Sequence, residues 1–200
     1  MSTSPTRARN PRGEGGRLRE QLVQAAAELV DELGDASRLS VRAIARRAGV
    51  SPTALYLHFP DRDALVSATC DAGFAAFNET VLAAASGDSD PLARLEAMGL
   101  AYLAFTERQP ALYSVIFSAR RPPSESPGVD RKEGFDGLVA LLRECDPAVG
   151  DEEAHQRAIA VWSGLHGFAT LRASRPKIGW PPAEDFVRRL LAAHVPRRAG

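Results

Sequence analysis

The chain lacks most of the residue patterns that would point to a disulfide-linked, metal-bound or membrane protein. It has only two cysteines, Cys70 and Cys145, and neither lies in a Cys-x-x-Cys or a Cys/His spacing. We therefore expect two reduced thiols and no zinc site. No apolar run approaches the roughly 20 residues of a membrane span. Residues 1–17 also lack the apolar centre of a signal peptide. These absences predict a soluble, cytoplasmic protein.

Motifs of catalysis are missing as well. The histidines show no metal-ligand spacing, and there is no Gly-rich phosphate loop, nucleophile elbow or paired-carboxylate motif. We therefore expect no enzyme activity, no cofactor and no metal, which disfavours the alternative of a small helical enzyme. No stretch alternates at period two for long enough to predict a strand. The predicted fold class is all-α.

Charge is balanced in total but unevenly distributed. Residues 1–60 hold nine arginines and only six acidic residues, so the remainder of the chain is net acidic. A basic N-terminal part suits contacts with nucleic-acid phosphates. Residues 1–16, rich in Ser, Pro, Gly and Arg, are interpreted as a flexible basic arm. An ordinary solubilising tail explains the same composition, and both interpretations stay open.

The stretch 39–65 predicts two helices joined by a tight turn. Ser40 can cap a helix over about 41–48, and Gly49 is suited to end it in a left-handed conformation. Ser51 can cap a second helix over about 52–59, with proline at its first position. The apolar positions of the first helix share one face: Val41, Ile44, Ala45 and Ala48. This is the pattern of a helix-turn-helix, whose second helix enters the DNA major groove.

Helical periodicity continues on both sides of this motif. The additional helices are predicted over about 16–33, 61–85, 92–108, 110–118, 129–144, 151–173 and 183–194. Two proline-containing loops, 119–128 and 174–182, separate the later helices.

With these residues in view, the segment 18–65 resembles the TetR family of bacterial transcriptional regulators. The resemblance rests on Ile44-Ala45, Ala48-Gly49-Val50-Ser51, Leu55-Tyr56, His58-Phe59 and Arg62-x-x-Leu65. The segment from Trp162 to Gly167 also looks like the Trp-x-x-x-His-Gly signature of one subgroup's C-terminal domain. The chain departs from the family pattern at Arg62, where lysine is usual, and at Thr53 or Ala54, where glycine is common.

The resemblance implies a three-helix DNA-binding domain over 17–62 and a larger helical domain over 63–200 that binds small ligands and dimerises. Leu55 and Phe59, four residues apart, are expected to face the core. The residues expected to contact DNA are Arg42, Thr53, Ala54, Tyr56, His58 and Arg62. Thr53 can meet a base edge, whereas Tyr56 can donate to a phosphate. The alternatives are a packing aromatic at Tyr56, a surface histidine at His58, and a solvated face at Arg46 and Arg47.

Tight specific binding requires a second copy, because one recognition helix touches too few phosphates. A homodimer would place two recognition helices about 34 Å apart, on successive major grooves of a palindromic operator. Two apolar stripes are candidates for the interface. They are Ala158, Trp162, Leu165 and Ala169 on one helix, and Phe186 and Leu190 on the next. Packing within the chain explains part of each stripe equally well.

The aromatic residues of the C-terminal part are numerous enough to line a largely apolar ligand cavity. The candidates for ligand contact are Phe77, Tyr102, Phe105, Phe117, Trp162 and His166. A role in the core is the alternative for each of them, and for His166 it is a histidine satisfied by a neighbour. The predicted function is a dimeric repressor released from double-stranded DNA by a small, largely apolar ligand. A DNA-binding protein without an effector is the alternative.

Overall fold

The computed structural model describes residues 14–87, 90–117 and 132–195. Within these ranges the chain forms nine α-helices, one short 3₁₀ helix and no strand, which confirms the all-α class. The helices are α1 (Glu14–Leu33), the 3₁₀ helix (Ala36–Arg38), α2 (Val41–Arg47), α3 (Pro52–Tyr56), α4 (Arg62–Ala84), α5 (Pro91–Arg108), α6 (Pro110–Ile116), α7 (Glu133–Cys145), α8 (Asp151–Ser174) and α9 (Ala183–His194). Most of the predicted basic arm, the loop 119–128 and the predicted start of α7 at 129 lie outside the described residues.

The helix ends form where the local sequence predicts them. The Ser40 hydroxyl accepts a hydrogen bond from the Ala43 amide at 3.2 Å, and the Ser51 hydroxyl accepts one from the Ala54 amide at 3.1 Å. Each bond satisfies an amide at a helix start that has no partner in the helix itself. Gly49 has a φ of +69°, so the turn between α2 and α3 uses the left-handed conformation that glycine adopts without strain.

Helix α3 is shorter than the predicted span of 52–59. The amide of His58 donates to the carbonyl of Leu55 at 2.9 Å, so the chain tightens into a three-residue turn after Tyr56. Pro60 follows directly, and a proline disfavours helical geometry for the residue before it. Helix α3 therefore has only five residues, followed by a compact turn that returns Phe59 to the core.

Two hydrophobic cores are built, and α4 and α6 contribute to both, since Ala111 of α6 is buried in the first core and Leu112 in the second. The first core joins α1, α2, α3 and the first part of α4, where Leu65 and Cys70 are fully buried. The second core joins α5 to α9 with the last part of α4, where Phe77 and Val81 are buried. No helix in the described residues is long and apolar enough to cross a membrane.

The stripes predicted for dimerisation are largely part of the second core. Ala158 and Leu165 are buried within their own chain. The Phe186 ring stacks on Phe168, with ring centroids 4.0 Å apart, so α9 packs against α8. Packing within the chain therefore explains Ala158 and Leu165, whereas Trp162 is 39% exposed and Ala169, Phe186 and Leu190 are half-buried, so the predicted interface stays a prediction. The opposite face of α8 carries the exposed or half-buried residues Ala160, Ser163, Gly167 and Thr170.

The close approach of α4 and α6 depends on Gly73. A Cβ at this position would lie 2.8 Å from Cδ1 of Leu112 and 3.1 Å from Cγ2 of Ile116. We expect Gly73→Ala to lower the free energy of unfolding in urea by about 1–3 kcal/mol, since both side chains would have to move. The control is Gly16→Ala in α1, where no atom lies within 4 Å of the added methyl group. A Gly73→Ala protein as stable as the parent would contradict the close packing of these helices.

Candidate functional site

The α3 segment presents one buried and one exposed side. Leu55 and Phe59 are 0% and 2% exposed, as predicted, and hold the segment against α1 and α4. Thr53 is exposed, Tyr56 is 53% exposed and Leu57 is 76% exposed. A short, firmly anchored helix thus offers a hydroxyl, a phenol and a branched apolar side chain to solvent.

The neighbouring candidates lie on the same motif but differ in exposure. Arg42 is exposed on α2, whereas Ala54 and His58 are half-buried. Arg47 is directed at α1, where its guanidinium lies 2.6 Å from the Glu32 carboxylate and 3.3 Å from that of Glu28. Arg47 therefore joins α2 to α1, while Arg42 stays available to a phosphate.

Arg62, predicted to contact a phosphate, makes several hydrogen bonds within the chain, and the phosphate contact stays a prediction. Its Nε donates to the carbonyl of Leu39 at 2.9 Å, and its Nη2 donates to the carbonyls of Ala36 and Ser37 at 2.7 and 3.0 Å. Its Nη1 donates to the neighbouring Asp63. The guanidinium thus donates to carbonyls in the segment between α1 and α2. These bonds connect that segment to the start of α4. Only the planar fork of arginine can reach three carbonyls in this way.

Two residues of this surface were not selected from the sequence. Leu57, 76% exposed beside Tyr56, is not among the predicted DNA contacts. Arg19 is exposed on α1, and its guanidinium carbon lies 5.0 Å from the centre of the Phe59 ring, beside α3. No spacing along the chain relates Arg19 to a ring 40 positions later, so only the fold brings them together.

A cavity of about 690 Å³ lies in the second core, between α4, α5, α7, α8 and α9. Four of the six predicted ligand residues line it, namely Phe77, Tyr102, Phe117 and Trp162. Sequence reasoning missed several others, including Asn78, Phe135, His155 and Ile159. Its size falls within the range of about 300–1,000 Å³ that is usual for small-molecule sites.

Phe105 and His166 do not line the cavity, which corrects their predicted roles. Phe105 is fully buried, and its ring packs edge-on against Phe77 with centroids 5.2 Å apart. The Nδ1 atom of His166 lies 2.6 Å from the hydroxyl of Tyr113. His166 is therefore a histidine satisfied by a neighbour, as the alternative interpretation held.

A neutral hydrogen-bond network forms behind the cavity wall. The hydroxyls of Tyr102 and Tyr113 are 2.7 Å apart, and Tyr113 in turn contacts His166. Burial raises the pKa of Tyr113 to about 12 and raises the pKa of Tyr102 further, while burial lowers the pKa of His166. All three groups are thus uncharged at neutral pH. With a neutral imidazole, Tyr102 donates to Tyr113 and Tyr113 donates to Nδ1 of His166.

One hydrogen bond joins the first helix to the cavity domain. The Asp31 carboxylate on α1 accepts from the backbone amide of Leu112 at 3.1 Å. Leu112 lies in the first turn of α6, whose own cap residue Gln109 makes no side-chain capping bond. Asp31 therefore caps α6 from another part of the fold. The next residue, Tyr113, belongs to the network behind the cavity wall.

In the described ranges, no group of His, Cys, Asp or Glu side chains could hold a metal ion. The features that remain are an exposed helix-turn-helix surface and a separate aromatic cavity. Together they define a helix-turn-helix DNA-binding protein with a second, cavity-containing helical domain.

Comparison with known proteins places the chain in a family. Residues 22–69 match the family described as bacterial regulatory proteins, tetR family. Residues 95–194 match the family described as tetracyclin repressor-like, C-terminal domain. The chain belongs to the TetR family of DNA-binding transcriptional regulators.

Individual relatives agree with this assignment. The nucleoid occlusion factor SlmA of Vibrio campbellii is 30% identical over 98 residues, which cover 49% of this chain and 50% of that protein. The chain thus spans about half the length of that relative. A protein of unknown function from Rhodococcus sp. RHA1 has 28% identity and a TM-score of 0.73, covering 90% and 94% of the two chains. A TetR variant from Acinetobacter baumannii in complex with minocycline has 21% identity and a TM-score of 0.58, covering 84% and 89%, and shares the fold.

Substitution of Arg62 can distinguish a structural role from a phosphate-binding role. We expect Arg62→Ala to lower the free energy of unfolding by about 1–3 kcal/mol, because three carbonyls lose a charged donor. Arg46→Ala, at an exposed position on α2, should change it by less than about 0.5 kcal/mol. Urea unfolding monitored by circular dichroism measures both. If Arg62→Ala were as stable as the parent, the structural role would be contradicted and phosphate contact would be the main role of Arg62.

The Asp31 cap predicts a contrast between two substitutions. Asp31→Ala should lower the free energy of unfolding by about 1 kcal/mol, since the Leu112 amide loses its acceptor. Asp31→Asn keeps an acceptor oxygen and should retain most of this stability in urea unfolding at pH 7. Equal losses in the two variants would show that the cap is not what Asp31 contributes.

The shifted pKa of Asp31 predicts how its contribution to the free energy of unfolding changes with pH. Partial burial raises the pKa of Asp31 above its usual 3.8, and the bond from Leu112 offsets part of that shift. The folded state therefore holds this proton more strongly than the unfolded chain does. The Asp31 contribution to stability should fall as pH rises through the acid range above 3.8, and Asp31→Asn should remove that part of the pH dependence.

Proposed function

We propose that the protein acts as a homodimeric repressor that binds a palindromic operator and is released by a small, largely apolar ligand. The observation that supports this most directly is the α2–α3 surface, where Leu55 and Phe59 anchor a short helix. That helix exposes Thr53, Tyr56 and Leu57. This surface combines rigidity with side chains suited to groove and backbone contacts.

Each exposed side chain suits a different contact. Thr53 lies near the start of α3, where its hydroxyl can bond a base edge and its methyl can touch a thymine. Ala54 beside it is small enough to let the helix approach the groove closely. Tyr56 and His58 can donate to phosphates, and Arg42 from α2 adds a charged contact. Leu57, the most exposed of the large apolar side chains that the structure describes, suits a thymine methyl or a sugar.

Dimerisation is proposed through the outward face of α8. Ala160, Ser163 and Gly167 lie on this face at helical spacing and carry little side chain. Small residues let a second helix come near enough for extensive backbone and side-chain contact. A two-fold axis along this face makes the same patch meet itself, which is the usual geometry of a dimer of identical chains.

Two helices connect the cavity to the DNA-binding domain in the proposed mechanism. α4 is part of both cores, so a change in its tilt would move α3. α6 ties Asp31 of α1, through Leu112, to Tyr113 behind the cavity wall. A ligand that displaces Tyr102 would shift these contacts and favour a state whose recognition helices no longer match successive grooves.

A second candidate is a DNA-binding protein that needs no effector. The similarity to a protein named for nucleoid occlusion supports it, although that match covers about half of the relative. The two candidate functions can be distinguished by testing whether an apolar ligand releases the protein from DNA. Under the second candidate, no ligand that enters the cavity would change DNA affinity.

The proposed DNA contacts can be tested by fluorescence anisotropy on promoter DNA of the protein's own gene. Arg42→Ala should weaken binding to all sequences and reduce the slope of log affinity against log salt by about 1, because one phosphate contact is lost. Thr53→Ala should instead change the preference at one base pair, by about 1–3 kcal/mol. The matched control is Arg143→Ala, which removes an exposed charge on α7.

Three results would contradict the assignment of this surface. They are unchanged affinity and base preference in both variants, an Arg143→Ala effect as large as that of Arg42→Ala, and affinity that does not depend on salt.

A further inference from the structure

We infer that the cavity takes an uncharged, largely hydrocarbon molecule, and that it excludes organic anions and cations of the same size and shape. This inference rests on the proposed use of the cavity as the effector site and adds the charge class of its ligand. Three features of the cavity wall support it. Charged side chains lie at the rim, the buried polar groups are hydrogen-bonded within the chain, and the Phe77 ring packs edge-to-face against other rings.

Charged side chains occur only at the rim among the described lining residues. Lys132 and Asp136 carry opposite charges at the start of α7, and both are exposed. His155 is exposed on α8 beside them. In the interior the polar side chains are Asn78 and Tyr102, which carry no charge, and the rest of the wall is apolar. An ion placed inside would lose its water and gain no counter-charge.

The buried polar groups already have partners within the chain. Every buried side-chain nitrogen and oxygen in the described residues makes a hydrogen bond. The network of Tyr102, Tyr113 and His166 is neutral, and its hydroxyls bond to one another and to Nδ1 of His166. The fully buried polar groups of the wall therefore need no ligand atom as a partner. An apolar ligand covers such a wall without breaking a hydrogen bond.

The Phe77 ring at the centre of the aromatic cluster is occupied by its aromatic neighbours. Phe77 meets the rings of Tyr102, Phe105 and Phe117 at interplanar angles of 85°, 81° and 87°. Rings arranged edge-to-face satisfy one another's quadrupoles, whereas a cation needs an open ring face. The wall thus favours contact with carbon surfaces over contact with charge of either sign.

Two fluorescent probes that differ in a single charged group test this inference. N-phenyl-1-naphthylamine is uncharged, and 1-anilinonaphthalene-8-sulfonate has the same ring system with one sulfonate added. In titrations of the full chain without DNA, we expect the neutral probe to bind with a Kd at least about tenfold lower than that of the sulfonate. Decanol should displace the neutral probe at pH 8, whereas decanoate and decyltrimethylammonium should displace it at least about tenfold more weakly.

A matched pair of variants locates the binding site. Ile159 lines the cavity and Leu92 does not, yet both are 38% exposed. Ile159→Lys places an ammonium at the wall, so the ratio of the two Kd values should shrink by about threefold or more. Leu92→Lys should leave the ratio unchanged.

Each contrary outcome overturns the inference. A sulfonate probe that binds the parent as tightly as the neutral probe would show that the cavity accepts anions. Efficient displacement by decyltrimethylammonium would show the same for cations. Failure of the neutral probe to bind, or equal effects of the two lysine variants, would remove the cavity as its site. DNA affinity of the same preparation is measured separately by anisotropy. A negative result in the probe titrations therefore does not bear on the proposed DNA binding.

Discussion

The structure depends on the burial of α4 in two separate hydrophobic cores. Leu65 and Cys70 are enclosed by the DNA-binding helices, whereas Phe77 and Val81 are enclosed by the cavity domain. A continuous helix is stiff over this length, so the two halves cannot move independently. The position of α3 relative to the cavity is therefore set by how the second half of α4 packs. Any change in cavity packing that tilts α4 has a direct mechanical consequence at the DNA-facing surface.

The parts of the fold that could be predicted from the sequence are those decided by neighbouring residues. The Ser40 and Ser51 caps and the left-handed Gly49 depend on bonds within a few positions of each residue. The anchoring of Leu55 and Phe59 follows from their spacing on one side of a short helix. Local chemistry thus identified the helix-turn-helix and its outward face before any long-range contact was known.

The parts that could not be predicted depend on partners far along the chain. Arg62 was assigned to DNA because it follows the motif, but the carbonyls it binds lie 23 to 26 residues earlier. Phe105 and His166 have the chemistry of ligand contacts, yet neither lines the cavity. Periodicity on α8 predicts an apolar stripe, and only the structure shows that Ala158 and Leu165 of that stripe are buried within the chain. In each case the residue type indicates what a side chain can bind, but the sequence does not indicate which part of the fold the side chain contacts.

The two connections between the domains respond differently to small movements. Apolar packing along α4 changes gradually with displacement, because many weak contacts share the load. The α6 connection combines apolar packing, such as that of Ala111 in the first core, with directional hydrogen bonds from Leu112 to Asp31 and from Tyr113 to its neighbours. These hydrogen bonds weaken steeply when distance or angle changes. Leu112 and Tyr113 are consecutive residues on a seven-residue helix, so one rotation of that helix disturbs both sets of bonds together. In the proposed mechanism, sensitivity to a ligand is therefore concentrated in α6, whereas α4 transmits the movement to α3.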